Sequence, residues 1–228
     1  MHRIVKSLTG MSDPYKEIKD RDLNAAKASY PLLKQFLEQE HNKLYWALKI
    51  AATGNIIDSA IYNNAHVENC IAHELAKEFS LCDINVFEEK LKAAKNILII
   101  GDNAGETVFD CVLIEYLADY EITYAVRSEP IINDATIQDA YDSGLNKHTR
   151  IISTGCGAPG AILDKCSTDF LTIFNSADIV ISKGQGNFEA LSNCRRSLFF
   201  LLKAKCSMIA DRLGVELTDY VFKYHKPI

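Results

Sequence analysis

The chain predicts an α/β protein: a helical N-terminal part, then an α/β layer built on a mainly parallel sheet. Three observations carry that expectation. Apolar residues before Asn96 recur at helical spacing, with no strand-like alternation among them. From Asn96 onward, short β-branched or apolar runs appear, most of them separated by helix-like segments. The 228 residues, 48% of them hydrophobic, suffice for one substantial core together with a small helical part.

In chain order, Leu44, Leu48 and Ala51 mark one helix, with Ala47 beside them and Gly54 as its stop. Val67, Ile71 and Leu75 repeat every four residues. Phe87, Leu91 and Ala94 follow Asp83, which reads as an N-cap. The run NILII, Asn96 to Ile100, then reads as a buried strand. Phe109, Val112, Leu113, Tyr116 and Leu117 form the face of the next helix. Further strands are expected at Glu121 to Val126, Arg150 to Ser153, Asp178 to Ser182 and Cys206 to Ala210. A boundary near residues 80–95 divides the chain into a helical part, 1–90, and an α/β part, 91–228.

Bulk properties narrow the function. A formal net charge of −5 and a pI near 5.7 argue against nonspecific nucleic-acid binding, which needs basic surface. No apolar run approaches the ~20 residues a bilayer span needs. The longest, Leu198 to Leu202, stops at Lys203, and the first ten residues hold no apolar signal stretch. The seven cysteines are an odd count and form no CxxC, which argues against a disulfide scaffold and a ribbon-type zinc site. The chain therefore reads as a cytoplasmic protein without membrane or nucleic-acid partners.

In open α/β sheets, ligands gather outside the carboxyl ends of the strands. Those ends carry Gly101-Asp102-Asn103, then Asn133-Asp134, then Ser153 to Gly157, then Ser182 to Asn187. Asp102, Asn103 and Asp134 offer three hard oxygens for a Mg²⁺-like ion, with positions left for water and a phosphate. Lys183 offers a point charge for a phosphoryl oxygen. Gly184 and Gly186 let backbone N–H groups approach an anion. Each feature also has a plainer reading. An Asp-Asn after a strand commonly caps a helix, and a Lys-Gly is commonly a solvated turn.

Four segments sharpen the choice: AATGNIIDSA (51–60), GDNAGETVFD (101–110), INDAT (132–136) and the stretch from Ser153 to Leu191 that contains SKGQGNFE. Together they resemble the damage-control phosphatase family, metal-dependent phosphatases formerly catalogued as domain of unknown function 89. The resemblance covers roughly residues 30–215. It implies an N-terminal helical part plus a three-layer α/β/α Rossmann-like sandwich with a mainly parallel sheet. It implies hydrolysis of small phosphomonoesters, sugar phosphates or damaged phosphometabolites, with a divalent metal (Mg²⁺, Mn²⁺, Co²⁺ or Ni²⁺). Under it, the metal ligands fall on Asp102, Asn103 and Asp134, the phosphate-contacting lysine on Lys183, and the GNxxD element on Asn55 and Asp58 beside the substrate. Ser153 joins the substrate-binding set at its strand tip. Family members usually begin with a further helical segment carrying paired cysteines, which this chain does not show.

The expected chemistry is attack by metal-activated water, with Lys183 and the amides around Gly184 to Gly186 neutralising phosphoryl charge. Glu106, in the first turn of its helix, is placed to orient that water or act as general base; it also reads as a simple complement to the helix dipole. Asp110 falls one turn further on, outside the ligand set. An aspartyl-phosphate on Asp102 is the alternative chemistry. A non-catalytic phosphometabolite-binding protein and a nucleoside-cofactor methyltransferase are the alternative functions. His66, Cys70 and His73 span two helical turns, too far to close on one ion, and Cys156 has no evident histidine partner.

Overall fold

A computed structural model of the chain describes residues 2–54 and 67–227. Asn55, Asp58 and His66 lie outside those residues.

Seven strands form one sheet: β1 (Phe79–Cys82), β2 (Asn96–Ile100), β3 (Glu121–Val126), β4 (Arg150–Ser153), β5 (Ile179–Lys183), β6 (Leu198–Lys203) and β7 (Tyr220–His225). Their order is β1-β7-β6-β5-β2-β3-β4. Every neighbouring pair is parallel except β6 with β7. The chain builds outward from β2 to β3 and β4, then crosses to β5 and β6 on the other side of β2. The β2/β5 junction is thus the switch point, where an open sheet leaves a crevice at its carboxyl edge.

Period-two burial makes the layers. Ile97 and Ile99 of β2 enter one core cluster, Leu98 and Ile100 the other. The first cluster includes residues of helices Lys16–Gln39, Lys43–Thr53, Val67–Leu75 and Glu106–Tyr116; the second lies under Thr168–Ser176, Gln185–Leu191 and Ser207–Leu213. Helix Glu106–Tyr116 is sandwiched, with Glu106 to Ile114 all buried and both Lys16–Gln39 and Lys43–Thr53 packed on it. The described residues contain no helix long and apolar enough to cross a membrane.

Several elements depart from the sequence expectation. Strand β1 lies in the stretch read as helical throughout. FSLC is only four residues with no β-branched side chain, and its extended state is imposed by parallel pairing with β7. Asp83 does occupy the N-cap of helix Ile84–Leu91, but its carboxylate accepts from the Tyr224 N–H of β7 at 2.7 Å rather than capping. The Cys206 to Ala210 segment is not a strand. Ser207–Leu213 is a helix, with Ile209, Ala210 and Leu213 buried on one side and Gly214 (φ 71°) closing it. Strands β6 and β7 are not among the expected strands: the continuous apolar run of β6 has no diagnostic period, and β7, YVFKYH, is buried only in its first half and shows no clean alternation.

Candidate active site

Register explains why distant residues meet. Ile100 of β2 stands level with Ala125 of β3 and with Ser182 of β5. Two residues beyond each, Asp102, Arg127 and Gly184 therefore emerge side by side at the carboxyl edge. Asp134 arrives by a separate device. Residues 133–135 lie antiparallel beside 102–104: Ala104 N donates to Asn133 O at 2.8 Å, Ala135 N to Asp102 O at 2.7 Å, and Asn103 faces Asp134 in an isolated bridge. The turn into this segment closes with Asp134 N donating to Ile131 O at 2.9 Å and places Ile132 at φ 47°, a left-handed conformation costly for a β-branched residue.

The carboxylates are enclosed. Asp102 is 9% exposed and Asp134 6%. Arg127, itself 1% exposed, joins them: Nε donates to Asp134 Oδ2 at 2.6 Å, and Nη2 lies 3.8 Å from Asp102 Oδ1. Burial first, then the charges of Glu106 and Asp134, push the Asp102 carboxyl well above its ordinary range, against a smaller downward pull from Arg127.

Lys183, at the end of β5, is equally buried. Its Nζ lies 2.9 Å from Glu106 Oε2 and 2.6 Å from Asp110 Oδ1. Burial alone would lower this lysine; Asp110 and Glu106 outweigh it and hold the ammonium charged. Glu106 Oε1 accepts from Asn103 Nδ2 at 3.0 Å. That bond fixes the amide, leaving the Asn103 carbonyl oxygen as its acceptor face. The Asp-Asn pair is not a helix cap: the residue before Glu106–Tyr116 is Gly105, and no side chain caps that end.

The glycines act through space rather than through their amides alone. The Gly184 N–H is already given to Leu201 O at 3.1 Å. A Cβ on Gly184, at φ 79°, would stand 2.0 Å from Asp102 Oδ2. Gly186 carries its carbonyl against Gly160, where a Cβ would meet that oxygen at 2.3 Å. Ser153 Oγ accepts from Gly155 N, shaping the following turn. Asn187 ties the edge together: it accepts from Ala161 N at 2.9 Å and donates to Gly101 O and Lys183 O at 3.0 and 2.7 Å.

Sequence reasoning missed Arg127, Asn187 and the role of Asp110. Arg127 sits one residue past β3, at a strand tip like the others, and that position was the available signal. Asn187 lies inside the SKGQGNFE stretch without an individual role. Asp110 was set outside the ligands because helical spacing alone cannot reveal a partner on β5.

A divalent metal fits this residue set. Ionised, the four carboxylates Asp102, Asp134, Glu106 and Asp110 lie against the cations Arg127 and Lys183. The carboxylate and amide oxygens of Asp102, Asn103 and Asp134 suit hard cations. No group of three His, Cys, Asp or Glu side chains forms a ready cage among the described residues. Two carboxylates and an amide suit an ion such as Mg²⁺, which keeps several of its waters.

Residues 1–221 match the family described as the damage-control phosphatase ARMT1-like domain. The chain is 34% identical over 232 residues to an uncharacterized protein of Methanocaldococcus jannaschii, covering 97% of this chain and 76% of that one. It is 38% identical over 211 residues to a damage-control phosphatase of Pyrococcus horikoshii, covering 90% and 72%. A damage-control phosphatase of Archaeoglobus fulgidus is 31% identical over 231 residues, covering 98% and 80%. The crystal structure of a protein of the domain-of-unknown-function-89 family from Pyrococcus horikoshii superposes with a TM-score of 0.89 at 35% identity, covering 99% of this chain and 80% of that chain.

Proposed function

The chain belongs to the damage-control phosphatase ARMT1-like family, and on that premise we propose that it is a metal-dependent phosphatase hydrolysing small phosphomonoesters, sugar phosphates or damaged phosphometabolites, at the carboxyl edge of β2, β3 and β5. The observation that carries the reading is the antiparallel pairing of Asn103 with Asp134. It brings a second carboxylate to the Asp102-Asn103 tip from 32 residues away, and local helix capping has no use for that.

In this reading Asp102, Asn103 and Asp134 hold the divalent ion, whether Mg²⁺, Mn²⁺, Co²⁺ or Ni²⁺. When bound, such an ion supplies Lewis-acid polarisation of a phosphoryl oxygen and lowers the pKa of a coordinated water. Glu106 fixes the Asn103 amide through the 3.0 Å bond and is assigned to orient the water. Lys183 spends two donors on Glu106 and Asp110 and keeps a third for a phosphoryl oxygen. Ser153, Gly184 and Gly186 shape the floor of the edge, and Asn55 and Asp58 are assigned to the substrate side on the family resemblance.

Hydrolysis of p-nitrophenyl phosphate and of a panel of sugar phosphates, with Mg²⁺, Mn²⁺, Co²⁺ or Ni²⁺ added singly, tests the proposal. Turnover that requires metal and stops with chelator is the expected result. Phosphometabolite binding without turnover under every metal would favour a non-catalytic binding protein instead.

A further inference from the structure

We infer that the two terminal nitrogens of Arg127 take a phosphoryl oxygen of the substrate. The inference rests on the phosphatase reading and deepens it by naming the group that recognises the anion. The Arg127 side chain is 1% exposed, and its Nε donates to Asp134 Oδ2 at 2.6 Å. Among the described residues, Nη1 and Nη2 have no hydrogen-bond partner. The Nη2 to Asp102 Oδ1 separation of 3.8 Å is too long for one. Four of the five guanidinium N–H groups sit on these two nitrogens. Buried donors are seldom left unpaired, and those that are call for a missing partner.

The partner must be an anion that arrives at the Asp102 and Asp134 carboxylates. Once a dication offsets those carboxylates, the guanidinium charge is left to be met by whatever binds beside it. A phosphoryl group fits on charge, and its oxygens match the planar fork in which Nη1 and Nη2 lie. Lys183 is less suited to the task, because Glu106 and Asp110 already balance its charge.

The test is calorimetric titration of inorganic phosphate into the wild type, Arg127→Lys and Arg127→Met, each loaded with Mn²⁺ to a saturation fixed by its own metal titration and checked for fold by circular dichroism. Phosphate affinity should fall about 10- to 100-fold in the variants, the range set by loss of a charge-assisted pair. Arg127→Lys, which keeps the charge but not the fork, carries the test alone if the methionine variant does not fold. Folded, metal-saturated variants that bind phosphate as tightly as the wild type would overturn the inference. So would a loss confined to metal affinity, which would leave Arg127 only the task of holding Asp134. A wild type that neither binds phosphate with metal nor hydrolyses p-nitrophenyl phosphate would overturn the phosphatase reading itself, and this inference with it.

Discussion

Lys183 Nζ lies 2.6 Å from Asp110 Oδ1, and both side chains are closed to solvent. This contact binds the tip of β5 to the second turn of helix Glu106–Tyr116. It is the middle of a longer chain. The Tyr124 hydroxyl donates to Asp110 Oδ2 at 2.6 Å, Lys183 reaches on to Glu106, and Glu106 holds Asn103. A group proposed as a metal ligand is therefore oriented by a buried relay that begins on β3. Burial raises Asp110 to about 6 against the pull of Lys183, so this relay is built from charges that only the pairing keeps in place.

Removing the cation from that relay should cost more than removing one anion. Lys183→Met leaves Glu106 and Asp110 as buried carboxylates facing each other's charge, and about 3–5 kcal/mol of destabilisation is expected. Asp110→Asn keeps a polar partner for Tyr124 and leaves Lys183 paired with Glu106, so it should cost less. Urea unfolding of both variants checks the ordering. Equal stabilities for Lys183→Met and wild type would show that the pair contributes nothing to the fold.

Gly184→Ala and Gly214→Ala separate backbone strain from collision at the site. Both glycines have positive φ, 79° and 71°, so each alanine carries a left-handed penalty of about 1–3 kcal/mol. Nothing lies within 4 Å of a Cβ on Gly214, whereas at Gly184 it would press on Asp102. Metal-supported turnover should survive in Gly214→Ala and fall at least about tenfold in Gly184→Ala, one step of 1.36 kcal/mol or more. Similar activity in the two variants would remove the Asp102 contact from the explanation.

How much was legible in the sequence follows from these same residues. GDNAGE and SKGQGNFE lie at strand tips, and β2 to β5 lie where the short apolar runs placed them, because buried parallel strands write themselves as dense β-branched segments. The neighbours of those tips were not legible. Arg127 offered only its place at a strand tip and Asp110 only its place on a helix; what makes them matter is the register of β2 with β3 and the packing of a helix on β5. Strand β1 was hidden because its partner, β7, lies about 140 residues further along the chain.

Glu74 should give the protein an acid-sensitive strut away from the site. Its oxygens lie 2.5 Å from Lys77, 2.6 Å from Lys203 and 2.6 Å from the Tyr220 hydroxyl, joining helix Val67–Leu75 to β6 and β7. Burial pushes this carboxyl up, but Lys203, Lys77 and Tyr220 outweigh it and bring it from 4.5 to about 2. A folded-state value below the unfolded one means the stabilisation is present above pH 4.5 and is lost as pH falls through about 2. Discounted for the half-exposed Lys77, it amounts to about 2 kcal/mol. The stability gap between wild type and Glu74→Gln should shrink as the pH falls below 4.5. A gap that widens as the solution is acidified would contradict the assigned pairing.

The claim on which the rest depends is that Asp102, Asn103 and Asp134 hold one divalent cation. Calorimetric titration of Mn²⁺ into metal-stripped wild type, Asp102→Asn and Asp134→Asn at pH 7.5 measures it directly. One site per wild-type chain is predicted, with each variant losing more than the roughly 10- to 100-fold that an outer partner costs. Variants that bind Mn²⁺ as the wild type does would contradict the account.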